Sequence, residues 1–316
     1  MADAQTSYPD TVPLPPLSRP DEVAALLIDA VDLHCHSGPA AMPRTLDHHE
    51  ELLDAAAAGF RAVLYKDHFY PGMAHAIILQ KLFPELGVQL FSGIALNNAS
   101  GGINPHAVDH AIKLGGKIVW MPTLSAKNHI DEQARGQAKN FPKTSKKMLD
   151  PEPLTALDAN GNLTDSVKKV IDLIAEANII LAGGHLHVSE QHKMFEEAAR
   201  RGVKKMMVNH PTYVVGFADE DIRQLARQGV KMEHSICMFV EGKSKKFSPH
   251  DLAHLIELAG VDNTILSSDL GLLGSQRPVD GFRSITQILL DLQVSNSDIR
   301  KLVSKNAARL LDLPER

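Results

Sequence analysis

Short apolar, β-branched runs begin near Val31, Ala62, Val88, Lys117, Ile179, Lys205, Val230 and Thr264, and helix-patterned segments lie between them. This alternation constrains the fold more than any other feature, because a parallel strand is followed by a crossover, usually a helix, before the chain can pair again on the same sheet. The intervals between strand starts are roughly 25 to 34 residues, close to one βα unit, except for one of roughly 60 between Lys117 and Ile179. Eight strands with no G-x-G-x-x-G turn after the first argue for α/β architecture as a (β/α)8 barrel rather than a dinucleotide-binding sheet. Seven strands is the competing count. Helix starts carry capping chemistry: Asp47 with Glu50 three residues later, Asn104 before Pro105, and Ser248 before Pro249.

The long interval predicts an insertion after strand four, at about residues 123–163. It is polar, and Asn160-Gly161 between two short alternating runs reads as a hairpin turn. We read the insertion as a lid over the barrel mouth, with a disordered surface loop as the alternative. Residues 1–22, with Pro9, Pro13, Pro15, Pro16 and Pro20, form an extended arm, and 23–316 form one barrel domain. There is no internal repeat beyond the βα rhythm and no low-complexity tract.

A 44% hydrophobic and 22% charged composition is that of a soluble globular chain, and no run approaches the ~18 apolar residues that cross a bilayer. A net charge of -5 without a basic stripe excludes an obvious nucleic-acid surface, so a small-molecule partner is expected, with a homo-oligomer left open. Two cysteines, Cys35 and Cys237, make no disulfide framework, and the N-terminus lacks a basic stretch followed by an apolar one. The expected location is the cytoplasm.

Histidine is abundant, at 16 residues against 4 tyrosines, and its placement matters more than its number. Active sites of such barrels form just past the C-terminal strand ends. There the chain carries His34 and His36, then Lys66, Asp67 and His68, His185 and His187, Asn209 and His210, Glu233 and His234, and Asp269. Alternation along a strand aims His34 and His36 to one side and Cys35 to the other. Singly, His68, His187 and His234 read as hydrogen-bonded fillers. Together His34, His36, His185, His210 and Asp269 read as ligands for a divalent metal, since imidazole and carboxylate suit zinc and related cations. His129 falls in the insertion, where nothing in the sequence assigns it a role.

The stretches "DLHCHSG", "GGHLH", "VNHP", "SSDLG" and the closing "KNAARLLDL" together resemble the amidohydrolase superfamily of metal-dependent hydrolases, over most of the chain from about residue 30. The resemblance implies a TIM barrel that holds one or two divalent metals, zinc first and manganese second. It maps the ligands onto His34, His36, His185, His210 and Asp269. It also implies that Asp269 acts as the catalytic base in cleaving an amide, lactone or related carbonyl bond. Two departures stand out. Ala307 follows Asn306 where the family often has proline, and the strand-four end "KIVWMPTLS" lacks the bridging lysine or glutamate. Lys66, at the end of strand two, is then expected either to bridge two metals as a carboxylated lysine or to anchor an anionic group. Arg44, Lys127 and Arg277 in rim loops favour an anionic substrate, and Arg44, His68, His187 and Arg277 are the expected substrate contacts.

"DLHCHS" with Asp67-His68 is also similar to phosphoesterases of the polymerase-and-histidinol-phosphatase type, although Leu270 and Gly271 follow Asp269 where that family has an aspartate-x-histidine pair. A carbon-carbon lyase or decarboxylase on the same scaffold, and a non-catalytic metal-binding barrel, are the remaining readings.

Overall fold

In the computed structural model, residues 9–136 and 143–315 are described. The strands are β1 (Val31–Cys35), β2 (Ala62–Tyr65), β3 (Gln89–Ser92), β4 (Ile94–Ala95), β5 (Ile118–Trp120), β6 (Ile180–Ala182), β7 (Met206–Asn209), β8 (Lys231–Ser235) and β9 (Thr264–Ser267). All neighbours pair in parallel, in the orders β1-β2-β3 and β4 through β9. The eight expected strands are these nine segments, because the third is interrupted at Gly93. A Cβ there would lie 2.1 Å from the Ile118 carbonyl oxygen, so only glycine lets the backbones pass this closely.

The first and last strands also meet. Asp269 N–H donates to His34 O at 2.7 Å and His36 N–H to Leu270 O at 2.8 Å, which brings β1 beside the extension of β9. Two hydrophobic layers result. The inner one gathers Val31, Leu33, Leu64, Ile118, Trp120, Ile180, Met207 and Ile265, and Ala307, Ala308, Leu310 and Leu311 of the C-terminal helix pack against it. The outer one lies between strands and helices and includes Cys35, Val63, Leu181, Val208 and Phe282. Asn306 secures the C-terminal helix by donating to Val261 O and Thr264 O, both at 2.8 Å.

The helices begin where the capping residues indicate. Asp47 and Glu50 form a reciprocal box at the start of His48–Ala57, Asn104 accepts from His106 N–H before Pro105–Lys113, and Ser248 accepts from Asp251 N–H before Pro249–Ala259. The arm differs from expectation. Pro20 opens a helix, Pro20–Leu26, because proline needs no amide partner at a first helical position. Val12 N–H donates to Ser275 O and Gly274 N–H to Asp10 O, both at 2.9 Å, so the described part of the arm packs on the barrel. Residues 1–8 of it lie outside the described residues.

The segment after β5 runs through a helix, Lys127–Ala134, and residues 137–142 of it lie outside the described residues. It is tied down on either side of them. Ser145 N–H donates to Ala41 O, Lys127 N–H to Leu154 O and Leu154 N–H to Ser125 O. Leu157 bridges Leu163 antiparallel around a turn at Asp158–Asn162, where the Asn160-Gly161 pair sits. No helix among the described residues is long and apolar enough to cross a membrane.

Candidate metal centre

The site is assembled at the C-terminal strand ends. On β1 the pairing slips by one residue between Asp32 and Cys35 against Val63 and Tyr65, a bulge that bends the strand. Leu33 stays in the inner layer, Cys35 in the outer one, and His34 and His36 face the mouth. The Asp32 carboxylate fixes this turn by accepting His34 N–H and Ser268 N–H, both at 3.0 Å.

Both imidazoles are held in one tautomer. His34 Nδ1 donates to the buried Glu233 carboxylate at 3.2 Å and His36 Nδ1 donates to the Lys66 carbonyl at 3.0 Å. Their Nε2 atoms then carry lone pairs, and each lies 3.1 Å from Oδ1 of Asp269. Burial pushes His36 down to about 3, so it stays neutral. Burial alone would raise Asp269, but its close neighbours His34 and His36 outweigh it and hold the carboxyl well below its ordinary range. Lone pairs facing a carboxylate at this distance repel unless a cation lies among them. The donor set of His34, His36 and Asp269, with all ligand atoms within 4.8 Å of one another, therefore fits a divalent metal.

His185 and His210 stand beside this trio, with ring centroids 5.0 Å apart and His210 6.3 Å from His34. His185 reaches its place through Gly184, at φ 60°, where a Cβ would lie 2.3 Å from the Met121 carbonyl oxygen. His210 and Asp269 are themselves at positive φ, 31° and 48°, a conformation uncommon in side-chain-bearing residues and concentrated at functional sites. Burial lowers both His185 and His210 and keeps them neutral. Lys66 lies among these groups, its Nζ 2.9 Å from His34 Nε2 and 5.2 Å from the Trp120 ring, and burial lowers its amine to about 8.

Of the expected substrate contacts, His68 lies within the cluster, 4.8 Å from the His36 ring and bonded to Thr123 Oγ1 at 3.0 Å. His187 instead caps the helix Val188–Arg200, its Nδ1 against Ser189 Oγ at 2.9 Å. Arg277 donates from its Nε to Asp54 of a flanking helix at 2.7 Å. Lys127 pairs with Asp131 one turn on, at the surface. Arg44 is inside but already paired, donating from Nη2 to Asp67 at 2.7 Å, with its buried Nε and Nη1 lacking partners among the described residues. The other Asp67 oxygen accepts Phe69 N–H at 2.8 Å, so Asp67-His68 is not arranged as the ligand pair of the phosphoesterase reading.

Sequence reasoning missed three participants. Glu233 orients His34 and is oriented in turn by Asn209 Nδ2 at 2.8 Å. His34 outweighs burial and lowers the Glu233 carboxyl. Its strand-end position is the only sequence signal it gives. His129 stacks on His185 at 4.7 Å, the two Nδ1 atoms 2.8 Å apart, while neighbouring Asn128 donates to the His185 carbonyl at 3.1 Å. Asn97 joins two strand ends, donating to His68 O and Thr123 Oγ1 and accepting Thr123 N–H and Ser125 N–H.

Solved structures share this architecture. A probable dipeptidase, PvdM, from Pseudomonas aeruginosa aligns over 93% of this chain and 96% of its own with a TM-score of 0.64 and 12% identity. An amidohydrolase from Pseudomonas aeruginosa aligns over 92% and 98%, with a TM-score of 0.60 and 13% identity. A 2,6-dihydroxybenzoate decarboxylase from Rhizobium aligns over 90% and 99%, with a TM-score of 0.51 and 11% identity. The fold is thus one these structures share, parallel strands alternating with helices over nearly the whole chain. The chain belongs to a family of unknown function, DUF6282, whose profile matches residues 29–233. No curated protein matches it.

Proposed function

We propose that this protein is a metal-dependent hydrolase that uses an activated water to cleave an amide, lactone or related carbonyl bond of a small substrate. The observation that carries the reading is the pair of Nε2 atoms, each fixed by a donating Nδ1, aimed at one oxygen of Asp269. His34, His36 and Asp269 would hold the first cation, with His185 and His210 available to a second. A bound divalent cation would supply Lewis-acid polarisation of the carbonyl and lower the pKa of water.

The chain supplies the remaining functions. Asp269, held ionised, accepts the proton of the attacking water and returns it to the leaving group. Glu233 balances charge at His34 and fixes its orientation. Lys66, lowered toward neutrality by burial, has an amine free to react with carbon dioxide, and the carbamate would provide a bridging carboxylate. An anionic substrate group would be met by Arg44, through Nε and Nη1. Zinc is the expected metal, with manganese second.

Protein reconstituted with zinc or manganese should hydrolyse some members of a panel of N-acyl amino acids, dipeptides and lactones, with activity lost on chelation and restored by metal. A decarboxylase with this fold motivates one alternative, carbon-carbon cleavage. Release of carbon dioxide from aryl carboxylates without hydrolysis anywhere on the panel would replace the hydrolase reading with that one.

A further inference from the structure

A cavity of about 760 Å³ opens beside the metal centre, within the size range of small-molecule sites. Its walls come from chain segments that follow strand ends on the mouth side: Met42 after β1, Phe69 after β2 and Leu124 after β5. Met148 and Pro151 of the insertion complete it. His129 belongs to both places, since it lines the cavity and contacts His185 at 2.8 Å. The cavity and the ligand cluster therefore meet at His129.

We propose that this cavity binds an uncharged aliphatic or aromatic group of the substrate while the bond to be cleaved lies at the metal centre. The lining is mostly apolar, and its ionic residues balance, with Lys143 and Lys147 against Asp150 and Glu152. A phosphate or a free carboxylate would find no net charge to hold it here. The insertion also exposes apolar side chains at the cavity edge: Leu149 is 96% and Met148 41% exposed. Water is a poor environment for both, and an apolar ligand would cover them. Met148 and Leu149 thus favour an apolar group at the cavity edge. This extends the hydrolase proposal by naming the substrate class, and it rests on that proposal for the position of the reacting bond.

The test uses full-length protein and the neutral fluorophore N-phenyl-1-naphthylamine, titrated with and without zinc, with metal content measured in parallel. We expect saturable binding of one equivalent in both forms. Ala99→Trp, at an exposed position on the cavity wall, and Met148→Asp should each weaken it at least tenfold without changing Tm or metal content. Wild-type protein that shows no saturable binding, or binding that both variants leave unchanged, would overturn the inference while leaving the metal centre standing. Probe binding lost in the variants of a protein that takes up no metal would support the apolar site and remove the hydrolase chemistry instead.

Discussion

Asp269→Asn should lower turnover of any hydrolysed substrate by about 10²- to 10⁴-fold, the usual contribution of a positioned general base, with Tm nearly unchanged. Asparagine is nearly the same size and is among the residues that tolerate the positive φ of 48° at this position. The backbone bond from residue 269 to His34 O is also kept. What is lost is the anionic oxygen 3.1 Å from both His34 and His36, and with it both a metal ligand and the proton acceptor. The measurement is kcat/KM beside metal content. Near-normal turnover in the variant would remove Asp269 from both roles.

Glu233→Gln should weaken metal binding by about 10- to 100-fold, as is typical when a carboxylate that orients a histidine ligand is neutralised. In the native chain one buried oxygen accepts from His34 Nδ1 and Asn209 Nδ2 together. An amide oxygen can still accept both donors, but it carries no negative charge, so the bond to His34 weakens from charge-assisted to neutral and the imidazole becomes a poorer ligand. Zinc affinity measured by competition with a chromophoric chelator checks this. An unchanged affinity would mean that Glu233 serves packing alone.

The barrel was legible because its signals are local. Apolar runs and capping residues place each strand start within about a residue of where it lies, an unusually close agreement for element boundaries. The break at Gly93 and the slip on β1 were not, since both arise where two backbones meet, and neither partner is visible from one segment. The histidine and aspartate candidates were legible as strand-end residues for the same local reason. His187, read from its strand end, and Arg277, read from a rim loop, serve instead as a helix cap and an ion-pair partner, because Ser189 and Asp54 engage them. Arg44 is claimed in the same way by Asp67. Glu233 and His129 escaped because what gives them meaning is contact with His34 and His185, at separations of 199 and 56 residues.

A metal centre at His34, His36 and Asp269 fixes the metal content per chain. Full-length protein prepared without chelators and analysed by inductively coupled plasma mass spectrometry should carry one or two equivalents of a divalent metal. Two equivalents would make carboxylated Lys66 the next group to seek, by mass spectrometry and carbon dioxide dependence. Less than a tenth of an equivalent, persisting after incubation with zinc and with manganese, would contradict the account.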